Sequence, residues 1–379
     1  MIKQLCINNF KCFDKKAVFD LSKINLFVGY NGRGKSSVVQ SFLLLCQSLS
    51  HYGDLQTLEV NGDFVQLGLF EDLVNAQNAT TSAIWFALAT DQKEGYDVRL
   101  AYEEKTEVER LGQICELIVD GRDCLIKKVI DLNSGQTSDV EPSADPYPPA
   151  VNEIFRNCHY VAAERKGPAL YEEKRDQNAN NPIGKNGENV LNSITKKKTL
   201  QKEINKWVSY IMDGGNLLLE GEDRASSVLS LNIGMPNAKR GKGFKAINCG
   251  FGYSYVLSIV VNALTMGKGT LIVENPEAHL HPQAQLRLTK LLAKTVEKDI
   301  QIFIETHSEH IVNGFRIYAL HPEILMDTND VSIYFFDEDY SVKHLNLESN
   351  GRIKNWPKGF FDQFEWEMTE IIKLGKKNQ

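Results

Sequence analysis

What this sequence lacks narrows its reading first. It has no excess of positive charge: 43 Lys and Arg stand against 49 Asp and Glu, a formal net charge of −6. A protein that coats nucleic acid with its whole surface is excluded, so any DNA contact must come from a local patch. The cysteines (Cys6, Cys12, Cys46, Cys115, Cys124, Cys158, Cys249) are scattered, odd in number and without a Cys-x-x-Cys pair. That pattern argues against a disulfide framework or zinc ribbon and for reduced thiols in a cytosol. No apolar run has the length of a membrane span; the nearest, Val256–Met266, is far too short. The opening "MIKQLCINNFKCF" has no long apolar segment, so no secretion signal is expected. The expectation is a cytoplasmic chain with no membrane partner. Internal repeats and long heptad runs are missing too, which argues against solenoids and extended coiled coils.

What is present is ordinary globular composition, 42% hydrophobic and 24% charged. The length suits one large domain with an insertion, or two domains. The sharpest local signal is "VGYNGRGKSS", residues 28–37. Gly29, four residues, then Gly34-Lys35-Ser36 fits the phosphate-loop pattern G-x-x-x-x-G-K-[ST]. Glycines permit positive φ and close backbone approach, so successive N–H groups can point at phosphate oxygens. In that reading Asn31, Gly32, Arg33, Gly34 and Ser37 form the cradle. Lys35 reaches the β/γ-phosphates of ATP, and the Ser36 hydroxyl binds Mg²⁺. The apolar run Ile24–Val28 before the loop reads as a buried parallel strand, and Ser36–Leu49 after it reads as a helix. Strand, loop and helix in that order aim a helix N-terminus at the phosphates.

Residues 1–22 alternate and read as antiparallel strands. Residues 80–132 read as a β meander with a hairpin turn at Asp120-Gly121. Pro, Ser and Asp dominate 133–150, which reads as an exposed loop, and 188–213 read as helical. The run Lys196–Lys198 is either a solvated face or a DNA-backbone contact, and Lys239, Arg240, Lys242 and Lys245 favour some DNA contact. From about residue 246, strands alternate with helices, which implies a parallel sheet covered on both faces. Residues 331–347 read as a hairpin and the end as a short amphipathic helix. The predicted division is 1–75 (first half of an ATPase head), 76–245 (inserted β meander with helical and loop parts), 246–345 (second half of the head) and 346–379 (tail helix).

A phosphate loop needs a carboxylate for the metal. In "TLIVENPEAHLHP" (Thr270–Pro282), a strand ends at Glu274, placed to hold Mg²⁺ through water. "FIETHSEH" (Phe303–His310) ends the next strand and sets His307 towards a γ-phosphate; a capping or packing histidine is the alternative. His279, His281, His307 and His310 also admit a metal-cluster reading, weakened by the absence of nearby cysteine.

With these segments quoted, the order phosphate loop, insertion, "FGYSYVLSIVVNAL", "LIVENPEAHLHP", "ETHSEH" resembles ABC-type ATPase heads. Among these it resembles the structural-maintenance-of-chromosomes (SMC) and RecF-like heads, and above all AAA-type ATPases related to the overcoming-lysogenization-defect (OLD) family. "GRIKNWPKGFFDQ" resembles a C-terminal domain of unknown function carried by many prokaryotic ATPases of this kind. The resemblance covers 1–75 and 245–365 and implies an α/β P-loop fold. That fold has a mostly parallel sheet, an N-terminal antiparallel β subdomain and an inserted α+β region.

It further implies that Glu274 is the Walker B acid and His307 the switch histidine. "NCGFGYSYVL" (Asn248–Leu257) takes the place of the ABC signature, with Gly250, Gly252 and Ser254 as donors to nucleotide held by a second head. Gln66 is either the Q-loop ligand of Mg²⁺ or a surface glutamine. Arg165 reaches nucleotide or partner, or is a surface arginine. Where ABC heads place a catalytic glutamate, this chain has Asn275, an amide that orients water but cannot accept its proton. Glu277 either substitutes for it or braces the loop.

The stretch after His307 is too short for the nuclease domain of the nuclease relatives. The resemblance implies an ATP-dependent head-to-head dimer or higher oligomer. Such a protein would gate a separately encoded effector, such as a nuclease or toxin, in anti-phage defence. The alternative is a DNA-associated repair ATPase of RecF type, acting on double-stranded DNA.

Overall fold

The computed structural model describes residues 1–78, 81–90, 97–105, 108–119, 121–124, 128–130, 137–139, 149–167, 169–174, 183–195, 198–221, 226–234 and 243–377. The chain begins with the antiparallel pair β1 (Ile2–Asn8) and β2 (Ala17–Asp20), then β3 (Ile24–Gly29), the glycine loop and α1 (Lys35–Tyr52). β4 (Thr57–Glu59), β5 (Ile84–Thr90), β6 (Asp97–Lys105), β7 (Val108–Val119) and β8 (Arg122–Asp123) follow. β1 pairs β2 along one edge and β5 along the other, with Ile7 opposite Phe86. The opening strands and the meander are therefore one seven-stranded antiparallel sheet, ordered β2-β1-β5-β6-β7-β4 with β8 on β7. Reading them as two separate pieces missed this non-local pairing. β7 turns into β8 through a two-residue connection in which Gly121 has φ 72°; Asp120 lies outside the described residues.

β9 (Lys128–Ile130) pairs β10 (Thr137–Asp139), so the stretch read as loop from 133 contains a short strand. α2 (Pro149–Arg156), β11 (Cys158–Val161), β12 (Glu172–Glu173), α3 (Val190–Ile194), α4 (Lys198–Ile211), β13 (Asn216–Glu220), β14 (Val228–Gly234) and β15 (Phe244–Lys245) complete the middle. β12 to β15 form a small antiparallel sheet. Lys198 and Lys245 are exposed, whereas Lys196, Lys197, Lys239, Arg240 and Lys242 lie outside the described residues.

α5 (Phe251–Thr265), β16 (Gly269–Glu274), α6 (Pro282–Thr295), β17 (Ile300–Glu305), α7 (Glu309–Tyr318), β18 (Val331–Phe336), β19 (Val342–Leu345) and α8 (Gln363–Lys377) close the chain. The central sheet runs β11-β16-β17-β3-β18-β19 and is parallel except for the β18–β19 hairpin. β11 comes from inside 76–245, so that segment supplies an edge of the head sheet. Alternate side chains fill opposite cores, as the period of a strand requires. From β3, Ile24, Leu26 and Val28 join the helical side with α4, α5 and α6, while Phe27 joins the side shared with α1 and the antiparallel sheet. Burial on both faces explains the continuous apolar runs of these strands. Parallel strands end on one edge, and that edge carries Gly29, Glu274 and Glu305. No helix among the described residues is long and apolar enough to cross a membrane.

Candidate nucleotide and metal site

The glycine loop takes the backbone shape that its residues allow. Gly29, Gly32 and Gly34 have φ of 122°, 70° and 108°. A Cβ on Gly34 would stand 2.6 Å from the Cys12 sulfur. Gly34 caps α1 without any side-chain hydrogen bond, so the first-turn N–H groups remain available to a ligand. Lys35 is buried, and its Nζ donates to the carbonyls of Gly29 (2.9 Å) and Tyr30 (2.6 Å).

A cavity of about 310 Å³ opens beside this loop. Asn31, Gly32, Gly34, Lys35, Ser36 and Ser37 line one wall, and Lys11, Cys12 and Glu305 close it. The side chain of Arg33 turns elsewhere: its guanidinium lies 4.2 Å over the Tyr340 ring. Only its backbone can serve the cradle.

Two carboxylates meet at the strand tips, where Glu274 stands in register with Glu305. One Glu274 carboxylate oxygen accepts from the Ala163 amide at 3.1 Å. The Arg165 guanidinium donates to the carbonyls of Glu274 and Asn275, the latter at 3.0 Å. Arg165 is buried and lies 5.3 Å from the Tyr255 ring centre. It is not a surface arginine, and burial pushes it down to about 10. Burial and the Glu274 carboxylate hold the Tyr160 phenol neutral.

Glu305 accepts a hydrogen bond from the Ser36 hydroxyl at 2.9 Å. Its other oxygen is buried without a hydrogen-bond partner. Burial, reinforced by the Glu274 charge, pushes Glu305 up to about 7, while Ser36 and Lys35 oppose that shift.

Asn275 sits at φ 43°, and its amide donates to the Glu305 carbonyl at 2.8 Å. The two oxygens of Glu277 accept from the Thr306 hydroxyl (2.7 Å) and the His307 amide (2.8 Å). The Glu277 carboxylate thus ties the β16 loop to the β17 loop. His307 is exposed at the edge of the site, beside Tyr30 and Gly359. Although the residue is exposed, partial desolvation of its ring and the nearby Lys35 charge hold its pKa below the ordinary value, which favours the neutral ring.

Other predicted residues lie apart. Gln66 is exposed, bridges Asn61 and does not line the cavity, so the Q-loop reading is not supported. Gly250, Gly252 and Ser254 are also absent from this cavity's lining. Gly250 is the exposed cap of α5, and Gly252 packs under the His279 carbonyl. The histidine cluster dissolves: His279 stacks on Phe251 with ring centres 5.2 Å apart, and His281 accepts from the Gln283 amide at the start of α6. Among the described residues, no group of three or more His, Cys, Asp or Glu side chains is placed to hold a metal.

The donors that do converge fit Mg²⁺. Ser36 and Glu305 at the cavity, and Glu274 one strand further along the sheet edge, offer hard oxygens, one of them an orphaned buried acceptor. Mg²⁺ keeps several waters and takes one or two carboxylates plus phosphate, not an all-protein cage.

Sequence reasoning missed Glu305, Lys11 and the burial of Arg165. Glu305 had a readable signal, because "IQIFIE" ends in an acid just as "GTLIVE" does.

Strand, glycine loop, helix and acid-tipped parallel strands define a P-loop ATPase with the fold of an SMC head. The chain belongs to the AAA ATPase domain family, whose model matches residues 1–206 and 153–312. Residues 326–371 match a second family, described as a protein of unknown function (DUF3696). The OLD nuclease of Thermus scotoductus (strain ATCC 700910 / SA-01) is 40% identical over 77 residues, 20% of this chain and 14% of that relative. An SMC head bound to the C-winged-helix domain of ScpA superposes with a TM-score of 0.55 at 15% identity, covering 92% of this chain and 98% of that one. The Pyrococcus furiosus SMC head with an extended coiled coil, bound to the C-terminal domain of ScpA, gives 0.52 at 12% identity, covering 98% and 99%.

Proposed function

We propose that this chain binds ATP with Mg²⁺, hydrolyses it slowly and uses the nucleotide to hold a head-to-head dimer that gates a separate effector. The observation that carries the reading is the convergence of Lys35, Ser36 and Glu305 on one cavity at the C-terminal edge of a parallel sheet, with Glu274 in register with Glu305 on the next strand. A triphosphate entering there offers Lys35 better partners than the Gly29 and Tyr30 carbonyls that it now holds. Ser36 would ligate the metal and Glu274 would hold its water shell. A metal held there would supply positive charge to offset that of the phosphates. Neutral His307 can donate to the γ-phosphate. Asn275 can orient the attacking water but not take its proton, which is the reason for slow turnover. Both oxygens of Glu277 are engaged, which favours the brace over the base.

Support for the dimer comes from α5. Its N-terminus carries Gly250 and the exposed Phe251, has no side-chain cap and lies outside the chain's own cavity. Free N–H groups at such an end suit a phosphate brought by a second head. An effector seated on the head has a parallel in the SMC head bound to ScpA. We place the protein in the cytoplasm, in anti-phage defence.

The test is light scattering with and without ATP and Mg²⁺, with Lys35→Ala as the blank, alongside hydrolysis with and without double-stranded DNA. A dimer formed only with ATP by the parent protein, with slow turnover indifferent to DNA, supports the proposal. Turnover that rises with DNA replaces it with the DNA-repair reading. A parent protein identical to Lys35→Ala in both assays overturns the ATPase site.

A further inference from the structure

We infer that Glu305 is a second carboxylate of the nucleotide-metal site: it orients the Ser36 hydroxyl and accepts a hydrogen bond from a metal-bound water. The inference rests on the ATPase reading above and adds a residue that the phosphate-loop and strand-tip motifs do not supply.

Three observations carry it. Ser36, the expected metal ligand, donates its hydroxyl hydrogen to Glu305 at 2.9 Å. That bond leaves the Ser36 lone pairs free for a cation. The second Glu305 oxygen is buried and has no donor, although the residue is only 8% exposed. A buried acceptor left unpaired is costly, and the cavity that Glu305 lines can admit the missing donor. Lys35 is not that donor in this state, because its Nζ is bonded to two loop carbonyls.

Position explains why Glu305 and not Glu274 touches Ser36. β17 lies between β16 and β3, directly beside the strand that feeds the loop. Glu305 is level with Phe27, two residues before Gly29. Glu274 is one strand further away, with one oxygen on the Ala163 amide. The two acids therefore divide the shell, Glu305 on the Ser36 side and Glu274 on the far side.

The experiment is binding of a fluorescent ATP analogue to the full chain, titrated with Mg²⁺, for the parent and Glu305→Gln. The amide is nearly isosteric but weakens the acceptor pair. Half-saturating Mg²⁺ is expected to rise about 10- to 100-fold, the usual effect of removing an outer-shell partner. Binding in EDTA is measured beside it, so that loss of the carboxylate's own repulsion of the nucleotide is separated from the Mg²⁺ requirement, and the melting temperature without nucleotide reports folding. An unchanged Mg²⁺ requirement in folded Glu305→Gln overturns the inference and leaves the ATPase reading standing. A parent protein that binds no analogue at any Mg²⁺ concentration overturns both. If Glu305→Gln does not fold, Glu305→Asp decides. It keeps the charge but shortens the reach, so a shifted requirement supports the inference and an unshifted one sinks it.

Discussion

At the tip of β16, the glutamate is fastened from outside the head motifs. Ala163 donates to its side chain, and Arg165, on the segment after β11, clamps its carbonyl and the next. At the tip of β17, the in-register glutamate is fastened by the phosphate loop itself, through Ser36, and keeps a free oxygen. The same residue type at the same strand level thus meets two environments. Glu274 couples the site to the middle of the chain, and Glu305 couples it to the nucleotide. Glu277 ties the two loops together through Thr306 and His307.

The largest expected break is Arg165→Ala. It strips donors from the Glu274 and Asn275 carbonyls and empties a buried volume over Tyr255. We expect a loss of about 3–5 kcal/mol in denaturant unfolding, the range for removing one partner from a buried charged network, here a guanidinium that faces the Glu274 and Glu277 carboxylates. Arg165→Lys restores charge without the planar fork, so it should recover only part. The parallel change at the other tip, Ser36→Ala, should cost less, about 1–3 kcal/mol, because it leaves the remaining buried Glu305 oxygen without its donor. Equal losses at the two tips would erase the contrast.

Next is Glu274→Gln. Hydrolysis should fall about 100-fold through a weakened metal shell, with little change in melting temperature. Glu277→Gln tests the tie between the loops. A general base at this position would show a drop of about 10²- to 10⁴-fold in turnover. A brace predicts instead a stability loss of about 1 kcal/mol, because neutral hydrogen bonds replace charge-assisted ones and the Thr306 hydroxyl must turn from donor to acceptor. We expect the second result by thermal melting, with turnover changed less than about tenfold.

How much of this was legible follows from what each residue depends on. The loop from Gly29 to Ser36 is local, so spacing revealed it, and the buried runs of β3, β16 and β17 revealed the parallel sheet. β11 is four residues long and gains its place only by pairing β16, far along the chain. Arg165 stands in a polar run that resembles any surface turn, and it is buried where its guanidinium meets the Glu274 and Asn275 carbonyls and the Tyr255 ring, all distant in sequence. The meaning of Glu305 depends on register and on a bond to Ser36 from the other end of the chain. Gln66 is the opposite case: a short motif leaves two readings open, and its exposed position and bridge to Asn61 fit the surface glutamine.

The smallest expected effect separates the two tips by backbone alone. The β16 loop holds Asn275 at φ 43° and His279 at φ 61°, whereas no residue from Glu305 to His310 has positive φ. A left-handed conformation costs most L residues about 1–2 kcal/mol, and asparagine tolerates it better than most. Asn275→Ala should therefore destabilise by about 1 kcal/mol, and Asn275→Gly should fall within about 1 kcal/mol of the parent, since relief in the folded state is offset by a more flexible unfolded chain. At His307 the order reverses, with glycine less stable than alanine by about 0.5–1 kcal/mol. Denaturant midpoints of the four variants would show it. If glycine beats alanine at 275 but not at 307, the β16 tip is the one whose backbone shape the fold imposes. The same order at both positions would mean that the tips differ only in what their side chains touch.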